Sequence, residues 1–331
     1  MKLAKKWWFT LPVILILVYI SGPHPANPQY ETQFPVFPSN LDSLNEWIQK
    51  KESDTAIKAN NQAQIIWAND SVHTPTNYAI VYLPGFTASQ MEGDPVHRAI
   101  AKEFGCNLYL ARLSDHGLKN DDAFLNLTAD RYWNSARDAL AIGKKLGKKI
   151  IVMGTSTGGT QALQLAATYP DLVDALILMS PNIAINDPSA WLLNKPWGLQ
   201  IARLVIGNQY MTTPDQSPSF KKYWYSHYRL EGVVALQEML ETSMTKENFQ
   251  KIKQPTLLLY YYKDDQHQDP VVKVSAMLEM FDQLGTDAQH KKSIAMPQTG
   301  DHVIGSPIKS KDVTGVTEQI RLFMKSTILI D

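Results

Sequence analysis

From residue 63 onward, short unbroken apolar runs alternate with longer stretches in which apolar positions return every three or four residues. The runs at 63–67, 78–83, 107–113, 149–153 and 175–179 have the length and apolar content of strands. The stretches at 96–104, 130–146 and 158–169 have the period of helices packed on one side. Strands that are apolar on both faces, separated by helices, predict a mostly parallel sheet covered by helices on both sides.

The rhythm breaks over 182–250. Here helical pieces carry Trp191, Trp197, Tyr210, Phe220, Tyr223, Trp224, Tyr225 and Tyr228, and no strand pattern is visible. It resumes with a strand at 256–261, a helix at 274–284, a strand at 293–296 and a helix at 313–323. The expected organisation is an α/β core over 39–181 and 251–331, with a helical cap inserted at 182–250. The cap's aromatic residues suit an apolar acyl pocket and packing against the core equally well.

The first 38 residues read differently. Lys2, Lys5 and Lys6 precede an uncharged run over 7–20, which begins with Trp7 and Trp8. A basic start and a short apolar stretch predict a signal peptide or signal anchor, although the run falls short of the ~20 residues of a spanning helix. With the lysines held inside, the rest of the chain faces away from the cytoplasm, so a membrane-anchored or exported protein is expected. Residues 22–38 hold five prolines and no periodicity, and predict an extended tether. A helix should start at Ser39-Asn40, with Leu41, Leu44, Trp47 and Ile48 on one face.

Charge narrows the partners. The chain has 32 Lys plus Arg and 32 Asp plus Glu, so no basic field attracts nucleic acid. A small-molecule or lipid-like substrate fits better. Cys106 is the single cysteine, which excludes an intrachain disulfide; at the head of an expected strand it reads as a small buried apolar residue.

The chemistry concentrates at Gly154-Thr155-Ser156-Thr157-Gly158, which follows the strand at 149–153 and opens the helix at 158–169. A G-x-S-x-G turn between a buried strand and a helix exposes the serine hydroxyl at the sheet's carboxyl edge, beside the free N–H groups of the helix start. The small residues are needed because so tight a turn leaves no room for side chains. The alternative is a glycine-rich loop whose serine caps the helix. No phosphate-binding pattern of the G-x-x-x-x-G-K-[ST] or G-x-G-x-x-G type is present.

With this turn, two further segments make the chain resemble the α/β-hydrolase superfamily, and within it bacterial carboxylesterases and monoacylglycerol lipases. Leu83-Pro84-Gly85-Phe86-Thr87 is similar to the family's H-G-F turn, and Leu113-Ser114-Asp115-His116-Gly117 to its P-G-H-G turn. Pro84 stands in place of the usual histidine, and Ser114-Asp115 in place of Pro-Gly. The resemblance spans residues 64–323 and thins over the inserted segment. It implies the α/β-hydrolase fold and a triad in the order serine, acid, histidine.

His302, after the last strand and before the final helix, is then the expected base. His116 is the competitor, at a turn that is usually structural in the family. His24, His73, His97, His227 and His290 read as surface or packing residues. The acid is expected in 261–272, where Asp265 has the usual distance from the strand and Asp269 the usual apolar sequel, Val271-Val272. Asp269 is favoured because an anchored loop can hold its carboxylate against the imidazole. Asp264, Asp265, His267 and Asp269 could alternatively bind a metal, although one histidine among carboxylates is a poor zinc set. The resemblance assigns the oxyanion hole to the backbone N–H groups of Phe86 and Thr157.

The expectation is a serine hydrolase acting on carboxylic esters through an acyl-enzyme on Ser156, with no cofactor and no metal. An amidase, peptidase or acyltransferase with the same triad, or a catalytically silent binding protein on this scaffold, are the alternatives.

Overall fold

The structure, a computed structural model, describes residues 4–328, with side chains from residue 10 onward. Lys2 and the side chains of Lys5, Lys6, Trp7 and Trp8, on which the expected basic and aromatic flank rests, lie outside what is described.

In chain order the elements are α1 (Ala4–Ile20), α2 (Leu41–Glu52), β1 (Gln64–Ile66), β2 (Thr76–Leu83), α3 (Val96–Glu103), β3 (Asn107–Leu110), α4 (Ala129–Leu146), β4 (Gly147–Thr155), α5 (Thr157–Thr168) and β5 (Ala175–Met179). The inserted segment contributes α6 (Gly198–Ile206), β6 (Tyr210–Thr212), α7 (Pro218–Tyr223), β7 (His227–Arg229), α8 (Leu230–Ser243) and α9 (Lys246–Lys251). Then come β8 (Thr256–Tyr260), β9 (Tyr262–Asp264), β10 (His267–Gln268), α10 (Val274–Gln283), β11 (Lys291–Ala295) and α11 (Val313–Phe323).

Seven strands form one sheet in the order β1-β3-β2-β4-β5-β8-β11. All neighbours are parallel except the edge pair β1–β3. The alternation within each central strand explains why the strands are apolar throughout. Ala79, Val81 and Leu83 of β2 and Ile150 and Val152 of β4 join one core, shared with α4 and α5. Ile80, Tyr82, Ile151 and Met153 face the other way, into a core with α3 and α11. Each strand therefore buries both faces, as a doubly covered parallel sheet requires.

Three features depart from the pattern. β1 is antiparallel, an orientation that apolar content alone does not reveal. The inserted segment holds the hairpin β6–β7, whose strands of three residues each are too short to show a period of two. The proline-rich stretch also lies docked along the body. Tyr30 meets Trp133 edge to face at 6.0 Å, Phe34 meets Tyr169 at 5.4 Å, and Phe37 meets Trp47 at 5.1 Å. The Trp133 indole N–H donates to Glu31 O at 2.8 Å. Prolines keep this stretch extended, while its spaced aromatic rings give it something to bury.

Helix α1 has 17 residues, and no helix among the described residues is long and apolar enough to cross a membrane.

Candidate active site

β4 lies at the centre of the sheet, paired with β2 on one side and β5 on the other, and runs without a loop into Ser156 and α5. The serine has φ +54° and ψ −121°, which is strained for a residue with a side chain and costs on the order of 1–3 kcal/mol. The surroundings hold it there: Ser156 N donates to Met179 O at 3.0 Å, and its carbonyl accepts from Asn182 N at 2.9 Å. A methyl on Gly158 would run into the Leu83 and Pro84 carbonyls, so the helix start can pass β2 only with glycine there. The side chain of Ser156 stands at the first turn of α5, where the N–H of Thr157 has no acceptor within its own helix.

The facing turn follows β2. Phe86 stacks on Phe124 at 4.7 Å and meets Tyr228 of β7 edge to face at 5.5 Å, and Thr87 has φ +70°. Tyr225 N donates to Thr87 O at 3.0 Å and Ser89 N to Tyr223 O at 2.8 Å, so the inserted segment is pinned directly over this turn. Its Phe220, Trp224, Tyr225 and Tyr228 are buried against the body, while Trp191 is exposed. Most of the segment's aromatic surface thus serves packing. An apolar cavity of about 340 Å³ lies between Pro23, Leu127, Leu193, Leu199 and Val234, and neither Ser156 nor His302 lines it.

Asp269 and His302 meet. His302 Nδ1 lies 2.6 Å from Asp269 Oδ2, and both side chains are buried. The other carboxylate oxygen accepts from Val271 N at 2.8 Å and Val272 N at 3.1 Å. Val272 is fully buried and bridges to Ile185, which anchors the loop. His302 Nε2 is buried and makes no hydrogen bond, to Ser156 Oγ or to any other group. Burial alone would lower the His302 pKa; Asp269, then Glu92 and Asp301, overcome it, and the net direction is upward.

The other candidates face elsewhere. Asp265 is exposed and accepts from Tyr262 OH at 2.8 Å. Asp264 pairs with His267 at 2.8 Å on the surface. With Asp269 turned inward, these four side chains do not converge, and among the described residues no group of three or more His, Cys, Asp or Glu is arranged to hold a metal. His116 has both ring nitrogens engaged, Nδ1 with Ser114 O at 2.7 Å and Nε2 with Tyr132 OH at 3.2 Å. Burial pushes its pKa down to about 4, so it is neutral and fixed. Cys106 is buried, which pushes its thiol up to about 12.

One residue escaped sequence reading. Glu92, 2% exposed, accepts from Gly85 N at 2.6 Å through Oε2. A methyl built on Gly85 would lie 2.9 Å from both Glu92 Oε1 and Ser156 Cβ, so this carboxylate reaches the floor of the site. Burial raises its pKa to about 7, against the pull of the Gly85 N–H, His302 and the Trp224 indole. No motif marks Glu92 in the sequence Met91-Glu92-Gly93; only the fold turns it inward.

A mostly parallel sheet whose central strand ends in a strained serine, with a buried Asp–His pair on later loops, defines an α/β hydrolase. The chain belongs to the α/β-hydrolase fold family, whose sequence model matches residues 78–305. A comparison with functionally curated proteins returned no match. Among solved structures, the chain is similar to one from work on LipS and LipT, two metagenome-derived lipolytic enzymes: 13% identity, TM-score 0.63, covering 81% of this chain and 99% of that one. It is also similar to Est1E from Butyrivibrio proteoclasticus with bound ferulic acid, at 20% identity and TM-score 0.54, covering 81% and 95%. The monoacylglycerol lipase of Paleococcus ferrophilus follows at 13% identity and TM-score 0.58, covering 80% and 98%. At these identities the likeness is one of fold.

Proposed function

We propose that this protein hydrolyses carboxylic esters through an acyl-enzyme on Ser156, with His302 as general base and Asp269 as its orienting acid. The observation that carries the reading is a buried imidazole whose Nδ1 is fixed by a carboxylate while Nε2 is left unpartnered. A general base needs that arrangement: one nitrogen held as N–H, the other free to take a proton. In this reading Nε2 accepts the Ser156 proton as Oγ attacks the ester carbon. The backbone N–H groups of Phe86 and Thr157 stabilise the oxyanion, and His302 returns the proton to the leaving alcohol. Water, deprotonated by the same nitrogen, then releases the acid. The lipolytic and esterase activities named for the similar folds favour esters over amides. The inserted segment acts as a cap over the turn that carries Phe86, and the N-terminal segment attaches the protein to a membrane.

Glu92 is a positioning residue in this scheme, holding Gly85 so that the next N–H faces the oxyanion. Glu92→Ala is expected to lower kcat by about 10- to 100-fold with KM little changed, the size expected when an oxyanion donor is displaced. Steady-state kinetics on a soluble p-nitrophenyl ester measures this, and a fall confined to KM would contradict it.

The pH dependence follows from the same groups. His302 must be neutral to act, and its pKa is raised, so kcat/KM should fall with acidification at a pH above the ~6.5 of an ordinary imidazole. Asp269→Asn and Glu92→Gln each remove negative charge facing His302 and should move this limb to lower pH. Because Glu92 titrates near 7 itself, the measured value belongs to the coupled set. A limb that stays fixed in both variants would exclude His302 as the titrating base.

Profiling turnover of p-nitrophenyl esters of increasing chain length beside aminoacyl amides tests the ester reading. Faster cleavage of the amides would replace it with the amidase alternative.

A further inference from the structure

We propose that α6 of the inserted segment, through Leu204 and Val205, docks with α1 on a phospholipid surface. Both side chains stand in water, Leu204 at 83% and Val205 at 79% exposure, followed by Ile206 at 42%. These are large apolar side chains on consecutive positions of one helix end. They adjoin a second exposed apolar surface, because Leu15, Val18 and Tyr19 of α1 and Ile201 and Leu204 of α6 line one shallow apolar cleft. The Trp197 indole N–H donates to Val18 O at 2.9 Å, and Trp197 N to Pro23 O at 3.0 Å, which ties the end of α1 to the start of α6. The two helices thus present a continuous face.

What covers that face is decided by α1. From Leu11 to Ile20 its large apolar residues are all exposed, at 48–63%, on every side of the helix rather than along a stripe. A protein partner covers one stripe of a helix; a helix apolar all round is matched by hydrocarbon. Charge agrees. Residues 7–20 carry none, and the sequence just before them holds three lysines suited to anionic headgroups. Arg203, the one charged residue of α6, is drawn away to Glu231 at 2.6 Å. The consequence is that the segment covering the Phe86 turn rests on the lipid, in reach of ester substrates dissolved there.

The exposure and packing argument is independent of the catalytic reading; only the activity arm of its test rests on ester hydrolysis. Because Cys106 is buried, Leu204→Cys and Val72→Cys in the full chain can each be labelled selectively with the environment-sensitive dye NBD. Val72 is exposed in the turn before β2 and serves as control. On vesicles of phosphatidylcholine and phosphatidylglycerol, the label at 204 should shift to the blue and be quenched by brominated acyl chains, while that at 72 should not. A label at 204 that stays water-like while the chain floats with the vesicles would overturn the proposal, as would equal quenching at both sites or absence of flotation. The double variant Leu204→Asp/Val205→Asp should then hydrolyse a long-chain monoester in vesicles several-fold more slowly than wild type and a soluble short ester at the same rate. Undiminished turnover of the vesicle ester would contradict docking through α6. If wild type cleaves neither ester, the hydrolase reading fails while the fluorescence result stands.

Discussion

With His302 replaced by alanine, kcat/KM for a soluble p-nitrophenyl ester is expected to fall by about 10⁶-fold, because triad members act as a unit and losing the base removes nearly all they contribute. His116, the competing imidazole, is not free to substitute. It is also buried near the Phe86 turn, but its two nitrogens are committed to Ser114 and Tyr132 and its pKa is pushed down to about 4. The fold should survive, since Asp269 keeps the two N–H donors of Val271 and Val272. His116→Ala should show the reverse pattern, a lower melting temperature with the chemistry largely kept, because it removes a packed ring that bridges Phe124 and Tyr132. Kinetics and thermal melts on both variants check this. Robust turnover in His302→Ala would move the base elsewhere.

Asp269→Ala is expected to cost about 10⁴-fold in kcat, somewhat less than loss of the histidine, since an unoriented imidazole still accepts a proton part of the time. Asp269→Asn should cost a similar factor for a different reason: the amide still accepts from the valine N–H groups but favours the wrong tautomer of His302. Asp265→Ala, by contrast, should change kcat by less than about twofold, because its carboxylate meets only the Tyr262 hydroxyl at the surface. The three variants measured side by side separate the aspartates directly; a large loss in Asp265→Ala with a small one in Asp269→Ala would reverse the assignment.

Much of this architecture is written in local pattern. β5 and α11 have the bounds their apolar spacing predicts, and the other sheet strands and core helices fall within a few residues. The reason is that a doubly covered sheet makes every central strand apolar and every covering helix amphipathic. The strained serine is legible because the sharp turn leaves room only for glycines. Choosing Asp269 over Asp265 is harder: both lie on one polar loop, and only the Val271-Val272 sequel hints which end is tied down. Glu92 is illegible, since nothing near it in sequence says that a four-residue helical turn will fold inward beneath Gly85. The docked stretch around Tyr30 and Phe34 hides for a similar reason, as their partners Trp133 and Tyr169 lie more than a hundred residues away. Local pattern predicts elements; contacts between distant elements set the chemistry.

The central claim is that Ser156 is a nucleophile made reactive by its surroundings, and covalent labelling with a fluorophosphonate measures this most directly. Wild type should be labelled at a single site, mapped by peptide mass to Ser156, and the Ser156→Ala variant should take up no label. His302→Ala should react far more slowly, because its serine keeps its proton. An adduct on any other residue, or undiminished labelling of Ser156→Ala, would contradict the assignment.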